Sequence, residues 1–361
     1  MKILILANND IGLYKFRKEL LERLIADGHE VYTSLPNGEC VQDIKKIGCK
    51  FIETEISRHG TNPLRDLKLL RQYKSILREI KPDIVFTYTI KPNVYGGIAC
   101  ASLDIPYVMN ITGLGTAVEN PGLLQLITVN LYRMAVRKVR TLFFQNKENE
   151  EFFTSKKLAV GKHKMLPGSG VNLSFYHPEE YPDDETIDFV FIARLMKQKG
   201  IDQYLDAAKV LREKYPHTRF HICGFCEQDY EAQIKELHDK GIVIYHGLVK
   251  DMRDIYKHIH CTVHPTYYPE GLSNVLLESC ACARPIITTN RSGCREVIEE
   301  GKNGYLVKER DSKDLIEKIE KFISLDWEKR KAMGLVGRAK VEKEFDREIV
   351  IEQYLTEITA D

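Results

Sequence analysis

A chain of 361 residues with 43% hydrophobic and 29% charged side chains has room for two domains of ordinary size. This composition excludes a disordered or low-complexity protein, and no apolar run approaches the roughly 20 residues of a membrane span. The net charge of +1 hides an asymmetry, because residues 1–165 carry 25 Lys and Arg against 17 Asp and Glu. A basic first half suggests an anionic partner, although solvated helix faces explain it equally well. Scattered aromatic residues form no stacking platform, which argues against nucleic acid.

Short apolar runs alternate with amphipathic stretches through residues 1–166, which is typical of parallel α/β units. The strands that we predict lie at 2–7, 30–34, 50–54, 83–88, 106–110 and 141–144. The predicted helices lie at 13–27, 64–80, 93–102, 122–139 and 147–157. A turn-rich joint at 167–171 then closes an N-terminal domain that ends at residue 166.

The same alternation begins again after Pro182 and defines a second domain over 171–344. Its predicted strands lie at 187–193, 218–223, 242–246, 260–265 and 285–289. The tail from residue 311 is helical and charged, and we expect its last helix, about 345–361, to pack back on the first domain. The sequence therefore predicts two successive doubly wound, Rossmann-like α/β domains, which bind ligands beyond the carboxyl ends of their strands.

The cysteines indicate a reducing environment. Nine cysteines, an odd and scattered set, do not make a disulfide framework, and the first residues read as a strand rather than a signal peptide. We therefore expect a cytoplasmic protein. Cys223 and Cys226 imitate a redox or zinc pair, but no second Cys or His pair has metal-site spacing, so incidental thiols are expected.

The most informative run extends from His264 to Ser279. A predicted strand ends at His264 and a helix begins near Leu272, whose N-terminal N–H groups suit a diphosphate. Glu270 lies just before the helix and Glu278 about two turns into it, roughly 10 Å apart at about 1.5 Å per residue. Because a carboxylate accepts hydrogen bonds from vicinal hydroxyls, the pair could grip both ends of a nucleotide sugar.

A second run, residues 193–200, ends a strand and opens the next helix. Its Arg194 and Lys199 could converge on phosphate oxygens, the arginine through its fork and the lysine as a point charge. Two cations and a helix terminus could neutralise a leaving diphosphate without a metal. Gly224, at the end of another predicted strand, is expected near the nucleotide.

Taken together, these residues resemble the retaining glycosyltransferases of sequence family four, which have the GT-B fold. In that fold two Rossmann-like doubly wound domains face each other across a cleft. The resemblance rests on the Glu270-x7-Glu278 pair and the Arg194-x4-Lys199 pair about 75 residues upstream, and it covers essentially the whole chain. It implies retention by front-face attack, with the leaving phosphate accepting the proton and no metal cofactor.

The resemblance also implies roles for single residues. Glu270 would contact the donor sugar, Glu278 the ribose, and Arg194 with Lys199 the diphosphate. The residues whose backbone would bind sugar and diphosphate are Gly271, Leu272, Ser273 and Asn274. Gly12 matches the glycine loop that faces the donor phosphates, although an ordinary strand-to-helix turn is the alternative because no full G-x-G-x-x-G is present.

One departure concerns the segment after the fourth strand, where many members carry His and this chain reads Tyr88-Thr89-Ile90-Lys91. We expect Tyr88 or Lys91 to contact the sugar instead. Together with Thr112 and His59, these two are the candidate residues on the acceptor side, although a surface-loop histidine is an equally good explanation for His59.

The runs 86–97 and 110–115 resemble a bacterial branch that builds capsule, O-antigen and related lipid-linked glycans. That branch implies a UDP-sugar donor and an undecaprenyl-diphosphate-linked acceptor at the inner face of the plasma membrane. Residues 122–140 pair an apolar face with Arg133, Arg137, Lys138 and Arg140, while Lys68, Arg71, Lys74 and Arg78 recur on another predicted helix. Either these stretches form an interfacial membrane patch or they are core helices with solvated rims.

Two other functions stay open. A non-hydrolysing nucleotide-sugar 2-epimerase shares the two-domain architecture, but the Glu270-x7-Glu278 pair argues against it. A non-catalytic partner subunit with a vestigial site would bind donor weakly, yet all four expected donor-contacting side chains are intact. Fold alone would not separate these functions.

Overall fold

The computed structural model describes residues 1–56, 62–115, 118, 121–159, 161–183 and 185–359. The chain divides into two compact units. Unit 1 comprises Met1–Ser169, Pro269–Gly271 and Glu348–Asp361, and unit 2 comprises Gly170–Tyr268 and Leu272–Arg347. Unit 1 thus includes the C-terminal segment and also a three-residue segment that lies outside the first domain predicted from the sequence.

Within the described part of unit 1, seven parallel strands form one sheet in the order β3-β2-β1-β4-β5-β6-β7. In chain order these strands are Lys2–Leu6 (β1), Glu30–Leu35 (β2), Lys50–Glu53 (β3), Ile84–Tyr88 (β4), Tyr107–Ile111 (β5), Thr141–Phe144 (β6) and Lys162–Met165 (β7). The helices are Asp10–Ala26 (α1), Val41–Ile47 (α2), Pro63–Ile80 (α3), Gly97–Leu103 (α4), Leu123–Ala135 (α5) and Lys147–Ser155 (α6), and a π-helical turn, Pro92–Gly96, precedes α4.

The unit 1 sheet is covered by helices on both faces. Leu4 and Leu6 of β1 pack in a core cluster with residues of α3, α4 and α5. Ile3 and Ile5, which point to the opposite face, pack in a second cluster with residues of α1 and the C-terminal helix. A strand buried on both faces needs apolar side chains at successive positions, which is why β1 reads KILIL without alternation.

Within the described part of unit 2, six parallel strands form a sheet in the order β10-β9-β8-β11-β12-β13. The strands are Ile187–Ile192 (β8), Thr218–Cys223 (β9), Ile244–Gly247 (β10), Cys261–His264 (β11), Ile286–Thr289 (β12) and Gly304–Val307 (β13). The helices are Ile201–Lys214 (α7), Glu231–Asp239 (α8), Arg253–Tyr256 (α9), Asn274–Ala281 (α10), Ser312–Ile323 (α11) and Trp327–Glu344 (α12). In both units the first strand lies in the interior of the sheet. The next two strands add outward on one side of it, and the chain then returns to add the remaining strands on the other side, as in Rossmann-like sheets.

The last helix, Arg347–Thr359 (α13), supplies Tyr354 to the core of unit 1. The Tyr354 ring lies edge-on to Phe86 and Phe143, with centroid distances of 5.1 and 5.2 Å. Its hydroxyl donates a hydrogen bond to Oδ1 of Asn110, and the Arg17 guanidinium lies 5.9 Å from the ring centroid. The C-terminal helix is therefore an integral part of the unit 1 core, at the opposite end of the sequence from β1.

We expect Tyr354→Ala to lower the free energy of unfolding by about 3–5 kcal/mol, because it empties a fully buried aromatic position. Tyr354→Phe should cost only about 1 kcal/mol, because it removes one hydrogen bond and keeps the ring. Urea denaturation followed by circular dichroism measures both changes. Glu352→Ala, an exposed position on the same helix, is the matched control, and equal midpoints for all three variants would contradict this account of the core.

A buried carboxylate organises one end of the unit 2 sheet. Asp188 on β8 is 2% exposed and accepts hydrogen bonds from Arg219 Nε (2.6 Å) and Nη2 (2.8 Å). Nε2 of His221 lies 2.7 Å from the same carboxylate. Burial alone would raise the pKa of Asp188, but the hydrogen bonds from His221 and Arg219 outweigh it and lower the pKa to about 2.

This shift predicts an acid-dependent stability. Because the pKa in the folded protein lies below the ordinary value, ionised Asp188 stabilises the fold fully above about pH 4 and progressively less as pH falls toward about 2. We expect Asp188→Asn to lower the free energy of unfolding by about 1–2 kcal/mol at neutral pH. The difference in free energy of unfolding between Asp188→Asn and the wild type should become smaller in denaturation series taken at decreasing pH. A difference that does not depend on pH would contradict this role of the ionised Asp188 carboxylate.

No helix in the described residues has the length and hydropathy needed to cross a bilayer.

Candidate active site

The first predicted cation, Arg194, lies just beyond β8. Backbone hydrogen bonds join this segment to the loop that follows β9. The amide of Ala193 donates to Cys223 O (3.2 Å), and that of Leu195 donates to Phe225 O (2.8 Å). Gly224 lies between these contacts with φ of 142°, and a Cβ there would fall 1.8 Å from Ala193 O. Only glycine therefore permits this close approach, which gives Gly224 a structural reason to be present.

These backbone hydrogen bonds place Glu227, on the loop after β9, beside Arg194. Nη1 of Arg194 donates to Oε2 of Glu227 at 2.6 Å, and the two side chains are 37% and 29% exposed. Burial tends to lower the pKa of Arg194, but the Glu227 carboxylate outweighs it and the pKa is raised. The guanidinium is therefore cationic and oriented, with part of its surface open to solvent.

The two predicted cations meet at one aromatic ring. Nζ of Lys199 lies 4.8 Å and Cζ of Arg194 lies 5.7 Å from the centroid of the Tyr268 ring. Lys199 is only 8% exposed. The segment before α7 is joined to the turn after β11 because the amide of Tyr267 donates to Gln198 O at 2.8 Å. Since β8 and β11 are neighbours, Arg194 and Lys199 share the carboxyl edge of the sheet, as the sequence predicts.

The helix after this turn, α10, begins at Asn274, two residues beyond the predicted start near Leu272. Leu272 and Ser273 are buried, and the amide of Ser273 donates to Gly293 O at 2.8 Å. Ser273 occupies the N-cap position without a side-chain capping bond. Oδ1 of Asn274 is buried and has no hydrogen-bond partner among the described residues. The helix start is therefore a partly uncapped set of N–H groups in the same unit as the two cations.

Glu278, on the second turn of α10, lies beside two tyrosines. Burial raises the pKa of Tyr176 and that of Tyr256, and the Glu278 carboxylate adds to both shifts. The two rings are 6.3 Å apart and nearly perpendicular. The ring of Phe175 lies next to that of Tyr176, and the Arg253 guanidinium lies 3.9 Å from the Phe175 ring centroid. Sequence reasoning found Glu278 but missed these aromatic neighbours.

The segment that carries Glu270 is held in unit 1. Nδ2 of Asn146 donates to the carbonyl oxygens of Glu270 (2.9 Å) and Gly271 (2.6 Å). Asn146 is 2% exposed, and its Oδ1 also accepts from the amide of Asn149 (2.9 Å), which caps α6. A Cβ on Gly271 would fall 2.4 Å from Thr112 O, so this position also requires glycine. The Glu270 backbone is thus fixed from the end of β6.

The predicted glycine loop forms the cap of α1. Oδ1 of Asn9 accepts from the amide of Gly12 at 2.5 Å, and Oδ2 of Asp10 accepts from the amide of Cys40 at 2.7 Å. The Gly12 amide is therefore engaged in capping. This geometry favours the ordinary strand-to-helix turn, and contact of Gly12 with donor phosphates stays a prediction.

Two family models match the chain over most of its length. The model described as glycosyl transferases group 1 matches residues 175–340, and the model described as glycosyl transferase 4-like matches residues 2–146. The chain belongs to the family-four glycosyltransferases of the GT-B fold. The matches confirm the family and the fold that the sequence predicts for this glycosyltransferase.

Curated relatives of this glycosyltransferase include bacterial enzymes of glycan assembly. An N,N'-diacetylbacillosaminyl-diphospho-undecaprenol alpha-1,3-N-acetylgalactosaminyltransferase of Campylobacter jejuni is 26% identical, covering 98% of this chain and 97% of its own. The capsular polysaccharide biosynthesis glycosyltransferase CapM of Staphylococcus aureus is 26% identical over 84% of this chain and 85% of its own.

Solved structures agree in fold over the whole chain. A glycosyltransferase from Rickettsia africae superposes with a TM-score of 0.82 at 17% identity, covering 98% of this chain and 97% of its own. HepE of Anabaena, solved in complex with UDP and glucose, superposes with a TM-score of 0.79 at 20% identity, covering 99% of each chain.

The structure places the remaining predicted residues of the glycosyltransferase in different settings. Tyr88 is 6% exposed, with the Arg17 guanidinium 5.1 Å from its ring centroid, so its burial favours a core role over the predicted sugar contact. Nζ of Lys91 pairs with Oδ1 of Asp66 at 2.8 Å, and both side chains are mostly buried. The carbonyl oxygen of Thr112 lies close to Gly271, at the position that a Cβ of residue 271 would approach. His59 lies outside the described residues.

The cysteines of the glycosyltransferase are all free thiols. Burial raises the pKa of Cys223 to about 12 and also raises the pKa of Cys226, so neither has the character of a reactive thiolate. Within the described residues no three His, Cys, Asp or Glu side chains are grouped as metal ligands.

Proposed function

We propose that this glycosyltransferase is a retaining enzyme that transfers a sugar from a UDP-sugar to a lipid-linked glycan acceptor during assembly of a bacterial surface polysaccharide. The observation that carries the proposal is the meeting of Arg194 and Lys199 at the Tyr268 ring. Two cations fixed at the carboxyl edge of a Rossmann-like sheet fit a diphosphate. The complex of HepE with UDP supports a UDP-sugar as donor, and the lipid-linked acceptor of the Campylobacter relative supports the acceptor class.

Each part of the donor has a proposed partner. Arg194 and Lys199 bind the diphosphate, together with the N-terminal N–H groups of α10. Glu278 accepts hydrogen bonds from the ribose hydroxyls beside Tyr176 and Tyr256. Glu270 contacts the transferred sugar, with its backbone fixed by Asn146. No metal enters this scheme, because two protein cations balance the diphosphate charge.

The proposed reaction is a single displacement at the anomeric carbon. The acceptor hydroxyl oxygen forms a bond to that carbon on the face from which UDP departs, and the bond from the carbon to the β-phosphate oxygen breaks. The proton of the acceptor hydroxyl passes to that phosphate oxygen, so the products are UDP and the extended glycan with its anomeric configuration retained. Arg194 and Lys199 stabilise the charge that develops on the departing diphosphate.

The acceptor is proposed by chemical class only. The Campylobacter relative is named for an undecaprenyl-diphosphate-linked acceptor, and CapM is named for capsular polysaccharide biosynthesis. An acceptor of this kind resides in a membrane, so we place the enzyme at the cytoplasmic face of the plasma membrane. The donor sugar and the linkage are set by a few pocket contacts worth about 1–3 kcal/mol each.

The proposal is tested by titrating the purified chain with a panel of UDP-, GDP- and ADP-sugars in EDTA, measuring binding by calorimetry and slow donor hydrolysis by nucleotide release. We expect one UDP-sugar to bind selectively, and binding to be lost in Arg194→Ala but kept in Lys214→Ala, an exposed cation at the other end of α7. Proton NMR of the glycoside formed with an acceptor then gives the anomeric configuration.

Other outcomes would overturn the proposal in distinct ways. Binding to no donor would indicate a vestigial partner subunit. Release of UDP with a 2-epimerised sugar would indicate an epimerase, and donor binding that requires a divalent cation would contradict metal-independent transfer. An inverted product would contradict the single displacement described above.

A further inference from the structure

Helix α5 of unit 1 presents large apolar side chains to solvent. Leu123 is 74% exposed, Leu126 58%, Ile127 46% and Met134 49%. Their spacing places all four on one side of the helix. Large apolar side chains that stand together on a surface indicate an interaction site, whereas single ones are ordinary.

The other side of α5 is buried. Thr128, Val129, Tyr132 and Ala135 face the unit 1 core, where Tyr132 packs edge-on against Phe153 at 5.1 Å. The core therefore accounts for one face of this apolar helix and leaves the outward face unexplained. A helix that is apolar on both faces needs a second apolar partner.

Basic side chains lie at the C-terminal end of this outward face. Arg133, Arg137 and Lys138 are exposed at the C-terminal end of α5 and just beyond it. Arg133 donates to Asn130 at 2.5 Å, and Lys138 pairs with the exposed Asp104. The sequence of residues 121–141 contains no Asp or Glu. We call these three cations with Leu123, Leu126, Ile127 and Met134 the α5 face.

A second helix of unit 1 repeats this combination. At the N-terminal end of α3, Leu64 is 80% exposed and Leu67 43%, and Arg65, Lys68 and Arg71 are exposed among them. Helices α3 and α5 belong to the same layer, because residues of both pack in one core cluster with α4. Each follows a strand of the same parallel sheet, so both begin at its carboxyl edge.

We propose that the α5 face, with the N-terminal end of α3, is a docking surface for a bilayer that contains anionic lipid. Apolar side chains enter the boundary between headgroups and acyl chains, while flanking arginine and lysine residues bind the phosphates. Charge decides between this partner and a second copy of the chain. A two-fold dimer through the α5 face would bring like charges together with no acidic residue of that segment to offset them.

The docking surface is independent of the transfer reaction, because none of its residues belongs to the proposed donor site. It is therefore tested without donor or acceptor. The full chain is mixed with vesicles of phosphatidylcholine and phosphatidylglycerol, or of phosphatidylcholine alone, and the bound fraction is measured by sedimentation over a salt series. Circular dichroism and thermal denaturation confirm that each variant is folded.

We expect binding to the anionic vesicles that weakens as salt is raised. Arg133→Gln with Arg137→Gln should lower the partition coefficient roughly 20- to 30-fold, about five-fold for each cation removed. Leu126→Gln with Ile127→Gln should lower it on both vesicle types. The matched control is Leu335→Gln with Lys343→Gln on α12 of unit 2, where Leu335 is 52% exposed, and it should bind as the wild type does.

Three results would overturn the proposal. The first is no binding of the wild-type chain to anionic vesicles, and the second is equal binding of the α5 variants and the control. The third is a dimer, detected by light scattering in the absence of lipid, that the α5 substitutions dissolve.

Discussion

Arg194→Ala is expected to lower kcat/KM for the donor by about 10²–10³-fold, the loss typical of removing one hydrogen-bond donor that stabilises charge developing in a transition state. The guanidinium is held by Glu227 at 2.6 Å and lies against the Tyr268 ring, so in the proposed donor complex it would be oriented before the diphosphate binds. Preorganisation matters because a group that must reorient during the reaction stabilises the transition state less. Steady-state kinetics of donor hydrolysis and of transfer measure the loss.

Two further variants separate the charge of Arg194 from its geometry. Arg194→Lys keeps the charge but loses the fork that engages a carboxylate and a phosphate together, so we expect an intermediate loss. Glu227→Gln keeps the guanidinium and removes the ion pair, and should cost less than about ten-fold, in line with a partly exposed pair. Unchanged turnover and UDP affinity in Arg194→Ala would remove Arg194 from the donor site.

The fold was predictable where burial dictates a periodic pattern. Central strands such as β1 and β4 are mostly apolar and show no alternation with charged residues, because helices cover both sheet faces. The edge strand β7 escaped prediction because its sequence, KHKM, is mostly exposed and carries no apolar signal. The predicted helix 122–139 is shorter in the structure, since α5 ends at Ala135 although Val136 and Val139 continue to pack in the core.

The candidate site was predictable only in its charged residues. Arg194 and Lys199 were identifiable from their position after a strand, and the structure brings both to Tyr268. Asn146 was missed because its contact with Glu270 joins residues 124 positions apart, which no local pattern encodes. Its position two residues after β6, at the carboxyl edge of the sheet, was the one available signal.

Glu270→Ala is expected to lower the rate of transfer by about 10²–10³-fold or more while leaving the fold intact. The carboxylate is the proposed contact to the transferred sugar, and a contact made by a charged acceptor to hydroxyl groups is stronger than a neutral one. Stability should change little, because Asn146 holds this segment through the Glu270 and Gly271 carbonyls, which the substitution keeps. Glu270→Gln, which retains one acceptor oxygen without the charge, should be less damaging than alanine.

Asn146 provides the complementary test, because it positions the Glu270 backbone without itself being a predicted donor contact. Asn146→Asp keeps the oxygen that caps α6 and loses the N–H donor to both carbonyls. It should lower the free energy of unfolding by about 1–3 kcal/mol. If Glu270 acts through its side chain, Glu270→Ala should lose transfer activity and keep the wild-type free energy of unfolding. Asn146→Asp should then lose part of its transfer activity and part of its stability. If both variants lost activity only in proportion to stability, residues 269–271 would be a structural joint and the sugar contact would lie elsewhere.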